Sequence, residues 1–170
     1  MTLQTGDILI RDATADDAET MCRWWNDGAV MAHAGFPLGL DTTVETVAAQ
    51  LSHDTEQSRR MIIELSGEPI GETNYSITDG VAEIGIKICD FTKQERGIGT
   101  ACLKLLIDAL FGGFGVTKIV LDTNLTNTRA QHVYEKIGFR RLRVNIDAWR
   151  DQLGAPQSSV DYELTREEWK

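Results

Sequence analysis

Apolar positions along the chain change their period several times, and each change marks an element. Ile8 to Arg11 is a short apolar run that reads as a strand, and Asp12-Ala13-Thr14 leading into Asp16 and Asp17 is a helix start signal. That helix is expected to run to about Asn26, with Met21, Trp24 and Trp25 on its apolar face. Ala34 to Leu40 contains two Gly and one Pro and reads as a loop. Asp41-Thr42-Thr43 then caps a second helix whose Val44, Val47, Ala48 and Leu51 are spaced for one buried face. Met61–Leu65 and Ile70–Ile77 read as strands around the Ser66-Gly67-Glu68-Pro69 turn. Asp79-Gly80 predicts a hairpin into Val81–Cys89, where Ile84, Ile86 and Ile88 alternate with Glu83, Gly85 and Lys87. After a polar loop, Asp90 to Arg96, the 3.6 period returns from about Gly97 to Phe111, through Ile98, Ala101, Cys102, Leu105, Leu106 and Ala109. Lys118–Asp122 reads as a compact buried strand, and Asn127–Ile137 as a helix closed by Gly138. Phe139–Ile146 and Ser159–Leu164 are the last strands, separated by a polar loop containing Trp149 and Pro156. The order β-αα-βββ-α-β-α-ββ predicts an α/β (α+β) chain around one mixed sheet.

The 170 residues suit a single domain spanning 1–170 with a sizeable core, and the composition (42% hydrophobic, 25% charged) is that of a globular protein. A net charge of −9 without a basic stripe argues against nucleic acid and weakly favours a cationic partner. Cys22, Cys89 and Cys102 are odd in number and form no CxxC, which points to buried reduced thiols and a cytoplasmic setting. His33, His53 and His132 make no metal-binding pair, so no metal is expected. No apolar run approaches the ~20 residues of a membrane span, and the N-terminus lacks a signal core.

The strongest local signal is Gln94-Glu95-Arg96-Gly97-Ile98-Gly99-Thr100, at a loop-to-helix junction. Glycines let the backbone approach a ligand, and the helix N-terminus behind them favours an anion such as a pyrophosphate. A Walker loop is excluded because the chain has no Gly-Lys. A dinucleotide fingerprint gains from Asp122 at the end of the next strand. It fails because Cys102 stands where the third glycine belongs and seven residues separate Cys89 from Gly97. The second signal is Asn127, Ala130 and Tyr134 at i, i+3 and i+7, an amide, a gap and a phenol on one helix face.

Together these two motifs resemble the GCN5-related N-acetyltransferase (GNAT) superfamily. Its Gln/Arg-x-x-Gly-x-Gly/Ala loop is similar to Gln94–Gly99, and its Asn-x-Arg-Ala-x-x-x-Tyr-Glu-Lys-x-Gly-Phe helix to Asn127–Phe139. Trp24-Trp25-Asn26-Asp27 and Ala82-Glu83-Ile84-Gly85 look most like the branch with ribosomal-protein N-acetyltransferases and some aminoglycoside acetyltransferases. The resemblance implies a mostly antiparallel sheet split between the fourth and fifth strands, Val81–Cys89 and Lys118–Asp122, with acetyl-CoA in the split. Main-chain groups of Ile86, Lys87 and Ile88 would pair with the pantetheine arm as an added strand does. The N–H groups of Gln94, Glu95, Arg96, Gly97, Ile98, Gly99 and Thr100 would hold the pyrophosphate. Asn127 would bond the pantetheine past the small Ala130. Tyr134, a neutral phenol with a pKa near ~10, would protonate the departing thiolate. Glu83 first and Glu72 second are the candidate bases for the amine. Trp24, Trp25, Asp27, His33 and Phe36 are candidates for an aromatic, acidic acceptor pocket. Arg140, Arg141 and Arg143 read as strand decoration. The expected partners are a small-molecule or peptide amine and, at most, a second copy in a homodimer. The alternative reading is a non-catalytic acyl-CoA-binding sensor or scaffold.

Overall fold

A computed structural model describes residues 1–170. Eight strands form one sheet: β1 (Thr2–Thr5), β2 (Ile8–Asp12), β3 (Ser58–Leu65), β4 (Glu68–Thr78), β5 (Val81–Ile88), β6 (Lys118–Asn124), β7 (Arg140–Arg150) and β8 (Pro156–Thr165). Their order across the sheet is β1-β2-β3-β4-β5-β6-β8-β7. The main helices are α1 (Ala18–Trp25), α2 (Gly28–Met31), α3 (Val44–Leu51), α4 (Ile98–Gly113) and α5 (Thr128–Ile137). No helix is long and apolar enough to cross a membrane.

The entry to α1 is built by its own sequence. Thr14 and Asp17 form a reciprocal capping box, and Arg11 grips both oxygens of Asp17 at 2.8 Å. Thr43 caps α3 by accepting the Thr46 N–H. Each sheet face then buries its own cluster. Leu103, Leu106, Ile107 and Leu110 of α4 and Tyr134 of α5 cover Ile84, Ile119, Leu121 and Tyr162 on one side. Met21, Trp24, Trp25 and Val47 of α1 and α3 cover Ile62 and Cys89 on the other. The three thiols are buried and free.

One discontinuity in the sheet positions the site. Every neighbouring pair is antiparallel except β5 and β6, which are parallel and joined through α4. Their pairing stops after Val81↔Lys118, Ala82↔Ile119 and Glu83↔Val120. Beyond it β5 stays with β4 out to Ile88↔Gly71, while β6 follows β8 out to Asn124↔Ser159. The two strands part, and a wedge opens through the sheet.

The split sheet and the predicted succession of elements are borne out, with one short unpredicted helix, α2, between the two expected before β3. Three further details differ. The strand β1 escapes notice because Thr2–Thr5 holds a single large apolar residue, Leu3; its hairpin turns at Gly6, at φ +54. It moves the split from between the fourth and fifth strands to between the fifth and sixth. The last hairpin is also longer than its apolar runs: β7 extends to Arg150 and β8 begins at Pro156, so Trp149 lies in a strand and not in a loop. The pattern conceals this because β7 is an exposed edge strand whose register shifts between Asn145 and Trp149, with Asp147 at φ +48.

Candidate active site

The wedge holds a cavity of about 860 Å³, within the ~300–1,000 Å³ usual for ligand pockets. Its β5 wall is Gly85, Ile86, Lys87 and Ile88, whose edge toward β6 has no strand partner. At the end of that wall, Gln94 Nε2 donates to the Ile88 carbonyl at 3.0 Å and so draws the glycine loop against the strand. Gly97 sits at φ +76 and opens α4 with no side-chain cap, leaving the first-turn N–H groups for a ligand. Gly97 and Gly99 line the cavity, and at either a Cβ would meet only open space, so the backbone is bare where an anion would dock.

The opposite wall comes from β6 and α5. Asn127 caps α5 by accepting the Ala130 N–H at 3.3 Å. Asn127, Ala130 and Tyr134 all face the cavity, as does Arg129, which bonds Gln94 and lies 3.4 Å from Glu95. Those contacts tie the two arms of the wedge together. The helix motif fixes the position of Arg129 without giving it a role. Tyr134 is 6% exposed, set edge-on against Phe139 and Tyr162. Burial, aided by the negative charge of Asp122, pushes its phenol up to about 12, so it is a neutral O–H donor.

The cavity is also lined by carboxylates. Glu72 lines the cavity, and Trp25 Nε1 donates to both its oxygens at 3.1 and 3.0 Å. Lys87 Nζ lies 3.8 Å away, opposite Glu72 in the β4–β5 register. Burial raises the Glu72 pKa and outweighs the opposing pull of Lys87 and the Trp25 bond. Asn74, two residues on and on the same face, also lines the cavity; the strand alternation from Glu72 is the signal that would have found it. So does Asp122, whose pKa is raised by desolvation and by the neighbouring Asp161.

Seven expected site residues lie elsewhere. Glu83 is exposed beside a smaller cleft with Asp54, Arg59 and Ser76, because it belongs to the part of β5 that still pairs with β6. Trp24 is core, since both indoles of α1 fall on its buried face; Trp25 is core as well, and reaches the site only through Glu72. Asp27 spends its carboxylate capping α2 at the Ala29 N–H, 2.9 Å away. Phe36 is exposed outside the cavity, whereas His33 lines it. Within the glycine loop, Arg96 points to solvent and Ile98 into the core, as a helix entry buried on one side requires. Arg140 and Arg143 are bound to Glu163 and Asp161 at 2.8 and 2.7 Å, and Arg141 lies over Tyr162. The sequence pattern passed over Trp149, which lines the cavity from β7.

A sequence model of the acetyltransferase (GNAT) domain matches residues 7–140. The chain belongs to the GNAT acetyltransferase family. It is 28% identical over 149 residues to the aminoglycoside N(6′)-acetyltransferase type 1 of Klebsiella pneumoniae, covering 79% of this chain and 74% of the relative. The spermidine N-acetyltransferase of Vibrio cholerae, solved with CoA and spermine, superposes with a TM-score of 0.83 at 20% identity, over 96% of this chain and 98% of its own. The ribosomal L7/L12 alpha-N-protein acetyltransferase RimL, solved with coenzyme A, gives 0.82 at 15% identity, over 97% and 98%. These two likenesses are of fold. The GNAT resemblance read from Gln94–Gly99 and Asn127–Phe139 is thereby borne out, and the chain is an N-acetyltransferase of that family.

Proposed function

We propose that this GNAT enzyme moves the acetyl group of acetyl-CoA directly to a primary amine borne on a small cationic molecule or a protein N-terminus, with both substrates bound together. The observation that carries this reading is the sharing of one cavity by a buried neutral phenol, Tyr134, and a buried carboxylate of raised pKa, Glu72. The bare Gly97–Thr100 backbone suits the pyrophosphate, and the unpartnered β5 edge at Ile86–Ile88 suits a pantetheine arm laid down as a strand. Asn127 and Ala130 flank that arm.

The acceptor enters as an ammonium and must lose a proton before it can attack. Glu72 takes that proton, directly or through water; its raised pKa makes it a stronger base than an exposed glutamate, and Trp25 and Lys87 hold its oxygens in place. The amine lone pair then forms the C–N bond while the C–S bond breaks. Tyr134 gives its phenolic proton to the departing sulfur, so no thiolate has to leave unprotonated, and the surplus N–H proton of the new amide passes to the phenolate, directly or through water, which restores the neutral phenol. Glu83 lines an adjoining cleft that shares Asn74, Gly85 and Asp122 with this cavity, and the proposal gives it no proton to carry. No cysteine intermediate is required. Burial drives the Cys89 thiol far up and the Cys102 thiol up to about 12, which leaves both without nucleophilic thiolate. Amine-dependent release of CoA thiol, with mass detection of the acetylated amine, tests the proposal using kanamycin A, spermidine and a short peptide as acceptors. Thiol release that requires the amine supports it. Tight acetyl-CoA binding without turnover on any amine favours a sensor instead.

A further inference from the structure

The acceptor end of the cavity has a roof assembled from two distant parts of the chain. One part is the loop after α2, where Gly35 and Gly39 stand at φ +100 and +80. The other is the tip of the β7–β8 hairpin. Gln152 joins them with three hydrogen bonds: its backbone N–H donates to the Gly35 carbonyl at 2.8 Å, its Nε2 to the Gly39 carbonyl at 2.9 Å, and its Oε1 accepts the Leu38 N–H at 2.9 Å. The hairpin tip is made rigid from below. Asp151 accepts the N–H groups of Leu153 and Ala155, both at 2.9 Å, and Gln157 bridges Asp151 to Asn124 of β6. Three residues before Gln152, Trp149 packs its indole so closely on Gly35 that any Cβ there would collide with the ring. Trp149 also faces the cavity, beside His33 and Ala34.

We propose that Trp149 is an acceptor-contacting specificity residue and that Gln152 is its positioning residue. The indole offers its electron-rich face to the alkylammonium body of the acceptor, while Glu72 and Asp122 meet its charge from the sheet side. Gln152 fixes how far the roof stands above the floor. This rests on the acetyl-transfer reading above, and the test separates the two.

Steady-state kinetics with kanamycin A and with spermidine are compared for wild type, Trp149→Ala, Trp149→Phe and Gln152→Ala, with acetyl-CoA affinity measured in parallel. Trp149→Ala raises the acceptor KM roughly tenfold, Trp149→Phe recovers most of that loss, and acetyl-CoA affinity stays within about twofold of wild type. Gln152→Ala raises the acceptor KM with kcat retained, a split that a general loss of folding does not produce. Unchanged acceptor KM in the Trp149 variants overturns the proposal. Should the wild type acetylate neither amine, tryptophan fluorescence decides. Quenching by either amine that is lost in Trp149→Phe supports the contact, and equal quenching or none overturns it. Should acetyl-CoA itself fail to bind, the acetyl-transfer reading falls, and the fluorescence titration without cofactor still judges Trp149.

Discussion

Burial raises the pKa of both Tyr134 and Glu72. The phenol stays protonated until pH nears about 12, so the rate rises with pH as Glu72 ionises, with no alkaline fall attributable to Tyr134 before that point. A pH–rate profile of kcat/KM checks this: its acidic limb should lie above the ordinary glutamate value of 4.5 and vanish in Glu72→Gln. Removing the base this way should cost on the order of 10²-fold in kcat, while Glu83→Gln stays within about threefold of wild type. Glu72 also affects stability. Because burial raises its folded pKa, its contribution is fully present below the unfolded value and is lost as pH rises through the folded value. Thermal unfolding should therefore show Glu72→Gln more stable than wild type at pH 7, with the gain absent at about pH 4. A lower melting temperature at pH 7 would mean that the Lys87 and Trp25 contacts outweigh desolvation.

At the scale of elements, the wedge depends on glycines in opposite ways. Gly99 borders empty space in the first turn of α4, so Gly99→Val should leave the melting temperature of the free protein within about 2 °C while weakening acetyl-CoA binding at least tenfold by calorimetry. At Gly71, across from Ile88, a Cβ would collide with the Lys87 carbonyl. Gly71→Ala should cost about 2 kcal/mol through overpacking, seen as a drop of about 4–8 °C in melting temperature. Elements with a clean period were legible in advance: the β4–β5 meander, α4 with its 3.6 spacing, and α5 with its Gly138 stop. The exposed edges were not, because β1 and the outer half of β7 bury too little for hydrophobicity to register. Strand alternation made both Glu83 and Glu72 candidate bases, with Glu83 first; the structure reverses that order, since Glu72 and not Glu83 lines the cavity. What separates them is where β5 leaves β6, a tertiary fact set by only three residue pairs.

The whole molecule combines an acidic surface with a cleft through its sheet. A net charge of −9 should speed encounter with a polycationic acceptor and repel the phosphates of the cosubstrate, leaving those to the local field of the glycine loop. Accordingly, kcat/KM for spermidine should fall as salt rises from about 20 to 200 mM, as the Debye length shortens toward 8 Å, while kcat holds. An unchanged kcat/KM would confine recognition to short-range contacts such as Trp149. The family was legible because the Gln94–Gly99 and Asn127–Phe139 motifs each preserve a chemical function in contiguous residues. The proposed acceptor end of the cavity was not, since its lining comes from α2, β4, β6 and β7, whose side chains meet only after folding. The proposed acetyl transfer with Tyr134 as its acid stands or falls on Tyr134→Phe, measured for amine-dependent CoA release and for acetyl-CoA affinity in the same preparation. The variant should lose ~10²–10⁴-fold in kcat with acetyl-CoA affinity within about threefold of wild type. Undiminished turnover in the phenylalanine variant would contradict it.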